Sequence, residues 1–319
     1  MDLESVSKIA VVGAGTMGPG LAQVFAGAGY QVALYSRSAE TLDKALGVTA
    51  ANLETFVRNG LLQADDVPPI LARITPTRSL AEAGLDASLV VETIAENVDA
   101  KRAAFAELDD VCPRDAVFTS NTSYLDIYEL VPERRLPSTV IAHWFAPPQI
   151  IPLVEVVRGA RTSQETVDLI VDLLKKVGRV PVVMEKFVPG FCVNRLLRII
   201  GREVFFLLDN GYMTAEQLDL AVKASIVPRA MVLGFVQRYD FTGLDLSLNN
   251  LKNTAFLEPP LDNAPRSLVE RVEKGELGAK TGKGFFDYSD RDPEDVLRER
   301  DDALLRVFGA VGDLMGENI

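Results

Sequence analysis

The sequence predicts an α/β fold: an N-terminal doubly wound, mainly parallel sheet followed by a smaller all-helical domain. Up to about Lys186 the chain alternates short β-branched runs with stretches of helical apolar spacing. Beyond VPVVMEKFVPGF strand patterns disappear and long helical patterns take over. The length, 319 residues, exceeds what one hydrophobic core usually supports. Residues 1–186 are therefore read as the α/β domain and 187–319 as the helical one, with the boundary just before Pro189 and Gly190.

Each element has a local reason. KIAVV, residues 8–12, is a strand that stops at Gly13, and helix-like spacing follows over 16–28. QVALYS, 31–36, is a second strand; Ser38 then serves as N-cap of a helix over 39–63, with Glu40 in its first turn. ASLVVETI, AVFTS, STVIAHW and PLVEVV are further strands, with helices at 99–109 and 163–177. Such alternation implies βαβ units and a parallel sheet. In the second domain NRLLRIIGREVFFLLDNG and TAEQLDLAVKAS are helices, the latter capped by Thr214.

Thirty-three basic against 45 acidic residues leave a net charge of −12, which repels nucleic-acid phosphates and anionic lipid. Neither nucleic acid nor a membrane is expected as a partner. The start, MDLESVSKIAVVG, is acidic where a signal peptide would be basic. Cys112 and Cys192 offer no disulfide framework, so a cytoplasmic location is expected. No metal site is expected.

VVGAGTMGPG holds Gly13, Gly15 and Gly18 in G-x-G-x-x-G spacing, with Thr16 and Met17 inside the turn. Gly13 permits the tight turn, Gly15 lets a pyrophosphate approach the backbone, and Gly18 lets the helix pack on the sheet. At the first βα turn of a parallel sheet, this motif points to a Rossmann-type dinucleotide site. A carboxylate at the end of the second strand would select NAD; here stand Ser36, Arg37 and Ser38. A guanidinium with two hydroxyls suits a 2′-phosphate and so NADP, while NAD held through the hydroxyls, with Arg37 solvated, stays open.

AHWFAPPQIIPLVEVV contains the only histidine and the only tryptophan of the chain. If VIAHW and PLVEVV turn back on each other about Gln149, His143 and Glu155 lie at mirror positions, roughly 5 Å apart. A carboxylate inside PLVEVV is expensive to bury alone, and His143 is spaced to partner it. That pair would fix the ring's tautomer and make His143 a general base for alcohol oxidation. A core histidine beside a buried tryptophan is the alternative.

VVGAGTMGPG, VVETIAENVDAKRAAF, TSNTSYLDI, AHWFAPPQIIPLVEVV, VPGFCVNRLL and GELGAKTGKGFFDY, in this order, resemble the 3-hydroxyacyl-CoA dehydrogenase family in its broad sense, which takes in carnitine and gulonate dehydrogenases and λ-crystallin. The resemblance implies an NAD(P)-dependent oxidoreductase that interconverts a 3-hydroxy compound and its 3-keto form, and a homodimer built through the helical domain. It makes His143 the general base, Glu155 its orienting partner, and Ser123 and Asn194 the polar groups around the reacting oxygen. Glu96 and Lys101 then line the ribose and nicotinamide side, although by themselves they read as a solvated helix start. A turn serine and a helix N-cap asparagine are the plainer readings of Ser123 and Asn194. The chain departs from the family at Ala146, where an asparagine is usual, and at Ser36, where an aspartate is usual. Pro69 stands at the lysine position of the acyl-CoA enzymes, beside Asp65 and Asp66, which disfavour the phosphates of coenzyme A, with Arg73 and Arg78 left open as compensating cations. A small carboxylated alcohol is therefore preferred over an acyl-CoA. Arg229 and Arg238 are candidate anchors for its carboxylate, with surface cations in an acidic chain as the equally open reading. A genuine 3-hydroxyacyl-CoA dehydrogenase and a non-catalytic, crystallin-like cofactor binder are the alternatives.

Overall fold

The computed structural model describes residues 2–315. In it the apolar runs become β1 (Lys8–Val12), β2 (Gln31–Tyr35), β3 (Ile74–Thr77), β4 (Leu89–Glu92), β5 (Val117–Ser120), β6 (Thr139–Trp144), β7 (Leu153–Val157) and β8 (Val180–Met184). Interleaved with them are α1 (Gly18–Gly27), α2 (Ala39–Arg58), α3 (Val67–Ala72), α4 (Leu80–Gly84), α5 (Val98–Val111) and α6 (Gln164–Lys176). The strands form one sheet in the order β3-β2-β1-β4-β5-β6-β7-β8.

All pairings are parallel except β6 with β7, whose antiparallel register sets His143 opposite Glu155 and Ile141 opposite Val157. This is the register expected of a turn about Gln149. Because β1 has β2 on one side and β4 on the other, the first crossover opens at a topological switch point, where ligands of open α/β sheets bind. Strand β3 was not expected from ITPT. Its Pro76 lacks an N–H, and the strand sits at the sheet edge, where a missing donor costs nothing.

Alternation divides the sheet between two cores. Ile9 and Val11 join Leu21 and Phe25 of α1 and Ile170 of α6 on one face. Ala10 and Val12 join Leu80 of α4 and Phe105 and Leu108 of α5 on the other. Trp144 belongs to the first core, edge-on to Phe25 at 5.8 Å. Helix α1 begins at Gly18, later than residue 16, because the glycine turn occupies the residues before it. Helix α2 ends at Arg58, before residue 63, where Asn59 caps it and Gly60 takes a φ of 71°.

The chain divides after Asn194 into two compact units. Residues 187–194 stay with the first unit because Phe191 is fully buried in its second core. Helix α7 (Val193–Asp209) leads into the second unit, which contains α8 (Ala215–Ala221), α9 (Val227–Leu233), α10 (Gln237–Thr242), α11 (Leu244–Leu251), α12 (Arg266–Glu273) and α13 (Pro293–Val311). Thr214 caps α8 by accepting from the Gln217 N–H.

Candidate active site

The turn after β1 separates the three glycines by role. Gly13 has a φ of +125°, and a Cβ there would lie 2.5 Å from the Thr93 carbonyl oxygen. A Cβ on Gly18 would lie 2.2 Å from the Gly13 carbonyl oxygen. Both positions are thus closed to any side chain. Gly15 has nothing within 4 Å of the same test position and is exposed, as is Thr16. Met17, half-buried, precedes α1 without capping it through its side chain, so the first N–H groups of the helix are unspent. Open space beside Gly15 at an uncapped helix N-terminus fits the pyrophosphate of a dinucleotide.

At the end of β2 the Ser36 N–H donates to the Thr77 carbonyl at 3.2 Å, and Ser36 Oγ accepts from the Ser38 N–H at 3.3 Å. Arg37 is exposed. Its carbonyl accepts from Arg78 Nε at 3.3 Å, so a second guanidinium, from the loop after β3, stands next to it. Among the described residues neither arginine has a carboxylate within ion-pairing distance, although the chain carries 45 acids.

The ends of β4 and β5 bring Glu96, Lys101 and Ser123 together. The Ser123 N–H donates to Glu96 Oε1 at 2.6 Å, and Lys101 Nζ lies 3.3 Å from Glu96 Oε2. Lys101 is only 1% exposed; its ammonium turns inward to Glu92, at 2.6 Å. This corrects the expectation that Lys101 lines the ribose side directly: the accessible carboxylate of the pair is Glu96, 26% exposed. Burial pushes the Glu92 carboxyl up, against the donors Lys101, Ser120 and the Ile94 N–H. The Ser123 hydroxyl has no hydrogen-bond partner among the described residues.

His143, fifth residue of β6, is buried, with Nδ1 2.7 Å from Glu155 Oε2. The other oxygen, Oε1, accepts the N–H groups of Cys192 and Val193 at 2.9 and 2.8 Å. Phe191 makes this possible. Its φ of +50°, a left-handed value that costs a non-glycine residue of order 1–3 kcal/mol, turns two successive N–H groups onto one oxygen. Burial pushes the Glu155 carboxyl up, but His143 and the two N–H groups outweigh it and hold the group below the ordinary carboxylate range. Phe145 and Phe191 flank the imidazole, with ring centroids at 4.6 and 5.1 Å, and among the described residues Nε2 is the ring's uncommitted nitrogen.

Asn194 is half-buried, one residue inside α7 and adjacent to the Val193 N–H that reaches Glu155; because the helix starts at Val193, it is not an N-cap. Arg229 bonds Ser225, in the helical turn just before α9, and Arg238 lies over the Tyr239 ring. Both belong to the second unit, and nothing within it marks them as ligand anchors. Sequence reasoning missed Glu92 and Asn121, and it weighed Arg78 only toward coenzyme A, not beside Arg37. Asn121 Oδ1 accepts the Trp144 N–H at 2.7 Å and so ties β5 to the strand end that bears His143. Glu92 could have been found by the rule that found Glu155: VVE is a buried strand end with a carboxylate in it.

A switch-point glycine turn after β1 and a buried imidazole–carboxylate pair on β6 and β7 of the same sheet are the two parts of a nicotinamide-dependent oxidoreductase. The chain belongs to the 3-hydroxyacyl-CoA dehydrogenase family: residues 8–187 match its NAD binding domain and residues 190–288 its C-terminal domain. Members of the family are dehydrogenases acting on CH–OH groups. The chain is 34% identical over 287 residues to a 3-hydroxybutyryl-CoA dehydrogenase of Clostridioides difficile, covering 88% of this chain and 99% of that one. It is 32% identical over 308 residues to the 5-formyl-3-hydroxy-2-methylpyridine 4-carboxylate 5-dehydrogenase of Mesorhizobium japonicum, covering 95% and 97%. A crystal structure of a 5-formyl-3-hydroxy-2-methylpyridine 4-carboxylic acid 5-dehydrogenase, called an NAD+ dependent dismutase, superposes with a TM-score of 0.82 at 29% identity, covering 96% of this chain and 99% of that chain.

Proposed function

We propose that the protein oxidises the secondary alcohol of a small hydroxy carboxylate, or reduces the corresponding ketone, with His143 as the general base. The 2.7 Å bond from Glu155 to Nδ1 carries the reading, because it commits Nδ1 as the donor and leaves Nε2 its lone pair. In oxidation Nε2 takes the hydroxyl proton; in reduction it returns one. Ser123 and Asn194 supply uncharged donors to the reacting oxygen. Gly13, Gly15, Thr16, Met17 and Gly18 would hold the pyrophosphate of a nicotinamide dinucleotide and Glu96 its ribose, and that cofactor would supply the hydride acceptor or donor.

Asp65, Asp66 and Pro69 in and before α3 support a free carboxylate over a coenzyme A thioester, as does the likeness to a dehydrogenase of a pyridine carboxylate. Turnover of 3-hydroxybutyrate and aromatic hydroxy acids beside acetoacetyl-CoA decides between them, and efficient use of acetoacetyl-CoA alone overturns this preference. Replacing His143 with glutamine should leave cofactor affinity intact and lower kcat by about 10²- to 10⁴-fold; parent-like turnover would remove the base assignment.

The missing acid at Ser36 and the adjacent guanidinium groups of Arg37 and Arg78 support NADP as the preferred cofactor. A homodimer is part of the proposal. Among the described residues beyond Asn194, Leu218 and Pro265 alone are buried, while Ile199 is 61% exposed and Val236 and Leu251 are each 83% exposed. Helices so bare of core need cover, and a second copy supplies it. Sedimentation at micromolar concentration tests this, a monomer being the contrary result. A cytoplasmic location completes the proposal; among the described residues no helix is long and apolar enough to cross a membrane.

A further inference from the structure

Glu92 is fully buried at the end of β4, between the glycine turn and the Ser123 loop, and the chemistry above makes no use of it. Its two oxygens serve opposite sides of the site. Oε1 accepts from Lys101 Nζ at 2.6 Å and from the Ile94 N–H at 2.8 Å, both on the cofactor side. Oε2 accepts from Ser120 Oγ at 2.5 Å, and that hydroxyl accepts the Thr122 N–H at 3.2 Å, on the substrate side. The circuit then closes on itself. Lys101 continues to Glu96, and Glu96 Oε1 accepts from Thr122 Oγ1 at 2.8 Å and from the Ser123 N–H at 2.6 Å. Ser120 and Thr122 are fully buried and Lys101 nearly so, so water offers these groups no alternative partners.

A buried ionic ring of this kind adds little to stability compared with an apolar filling, because desolvation consumes most of the attraction. What it does supply is one fixed distance between two loops. We propose that Glu92 is a positioning residue that registers the Ser123 hydroxyl against the Glu96 cofactor loop, with Lys101 as an internal counter-ion. This rests on the reading of Ser123 as a substrate-side donor. Misplacing a reacting group by about 1 Å can cost about 10²-fold in rate, which is the scale of effect the ring controls.

The test uses the full-length protein, NADH and NADPH titrations, and whichever of 3-hydroxybutyrate and acetoacetyl-CoA the parent turns over. Ser120→Ala cuts the substrate-side arm and leaves every charge paired. It leaves Glu92 Oε2 and the Thr122 N–H one partner short, so the melting temperature should fall modestly, while cofactor affinity holds and kcat falls about 10-fold. Glu92→Gln should weaken cofactor binding as well as turnover, and Glu92→Asp should restore part of both. In a double-mutant cycle Ser123→Ala should lower kcat by about 10²-fold in the parent but by no more than about threefold in the Glu92→Gln background. Losses that simply multiply, or a Glu92→Gln protein that melts earlier yet turns over like the parent when folded, overturn the proposal. If Ser123→Ala leaves the parent's turnover unchanged, the Ser123 assignment itself is wrong and the positioning role falls with it.

Discussion

Replacing Glu155 with glutamine removes a charge and forces a choice on the amide. Oε1 of Glu155 accepts two N–H groups, from Cys192 and Val193, and Oε2 faces His143 Nδ1. Glutamine has one oxygen for these two places. Turning its NH₂ towards the two N–H groups would leave both without acceptors, at about 1–3 kcal/mol each. Turning it towards His143 costs far less, since a neutral imidazole can shift its proton to Nε2 and accept at Nδ1. The structure therefore predicts the wrong tautomer by about 2–6 kcal/mol, a population ratio of about 30 to about 10⁴. Because an Nε2–H form cannot take the substrate proton, kcat should fall by about that factor while NADH and NADPH affinity holds. As the chain has one histidine, ¹⁵N-histidine NMR reads the tautomer without assignment work. Turnover within about threefold of the parent, or an imidazole still protonated at Nδ1, would refute the reasoning.

Other consequences can be measured directly. Gly15→Val should leave the melting temperature unchanged and abolish tight dinucleotide binding, whereas Gly18→Ala should destabilise the fold itself, since its Cβ would meet the Gly13 carbonyl at 2.2 Å. Arg37→Gln and Arg78→Gln should each weaken NADPH binding by about tenfold or more and leave NADH unaffected, at the scale of a lost charge-assisted hydrogen bond; unchanged NADPH titrations would argue for NAD. Glu155 is held below the ordinary carboxylate range, so its stabilising contribution is complete at neutral pH, starts to fall as pH enters that range and is lost as pH passes below it through the lower folded value. Chemical denaturation of Glu155→Gln should therefore lose less stability than the parent between roughly pH 5 and pH 3. Arg135, 1% exposed, bonds Asp109 at 2.7 Å and the carbonyls of Cys112, Pro113 and Arg114; Arg135→Met should lower unfolding free energy by about 3–5 kcal/mol in urea titration.

Much of the site was written locally. The glycine spacing after a β-branched run encodes a turn whose demands are met within a few residues, and the backbone confirms them at Gly13 and Gly18. The mirror spacing of His143 and Glu155 about Gln149 was legible because an antiparallel pair of alternating strands has a fixed register. Other features depend on which strand ends become neighbours, and no local rule states that. The sheet places β4 beside β1 and β5 beside β4, so Glu92 meets Ser120, 28 residues away, and Lys101, which reads as a solvated helix residue, points inward. Phe191 takes a left-handed φ just before the two N–H groups that reach Glu155, 37 residues before Cys192. Strand β3 is not legible in the sequence because Pro76 contradicts a strand until a sheet edge is available to it. By itself, then, the sequence determined the sheet-then-helix order, the dinucleotide turn and the histidine–carboxylate pair, all set by short-range sterics and periodicity. Only the tertiary structure decided which buried charges face one another, because a low-dielectric interior demands partners wherever the fold happens to bring them.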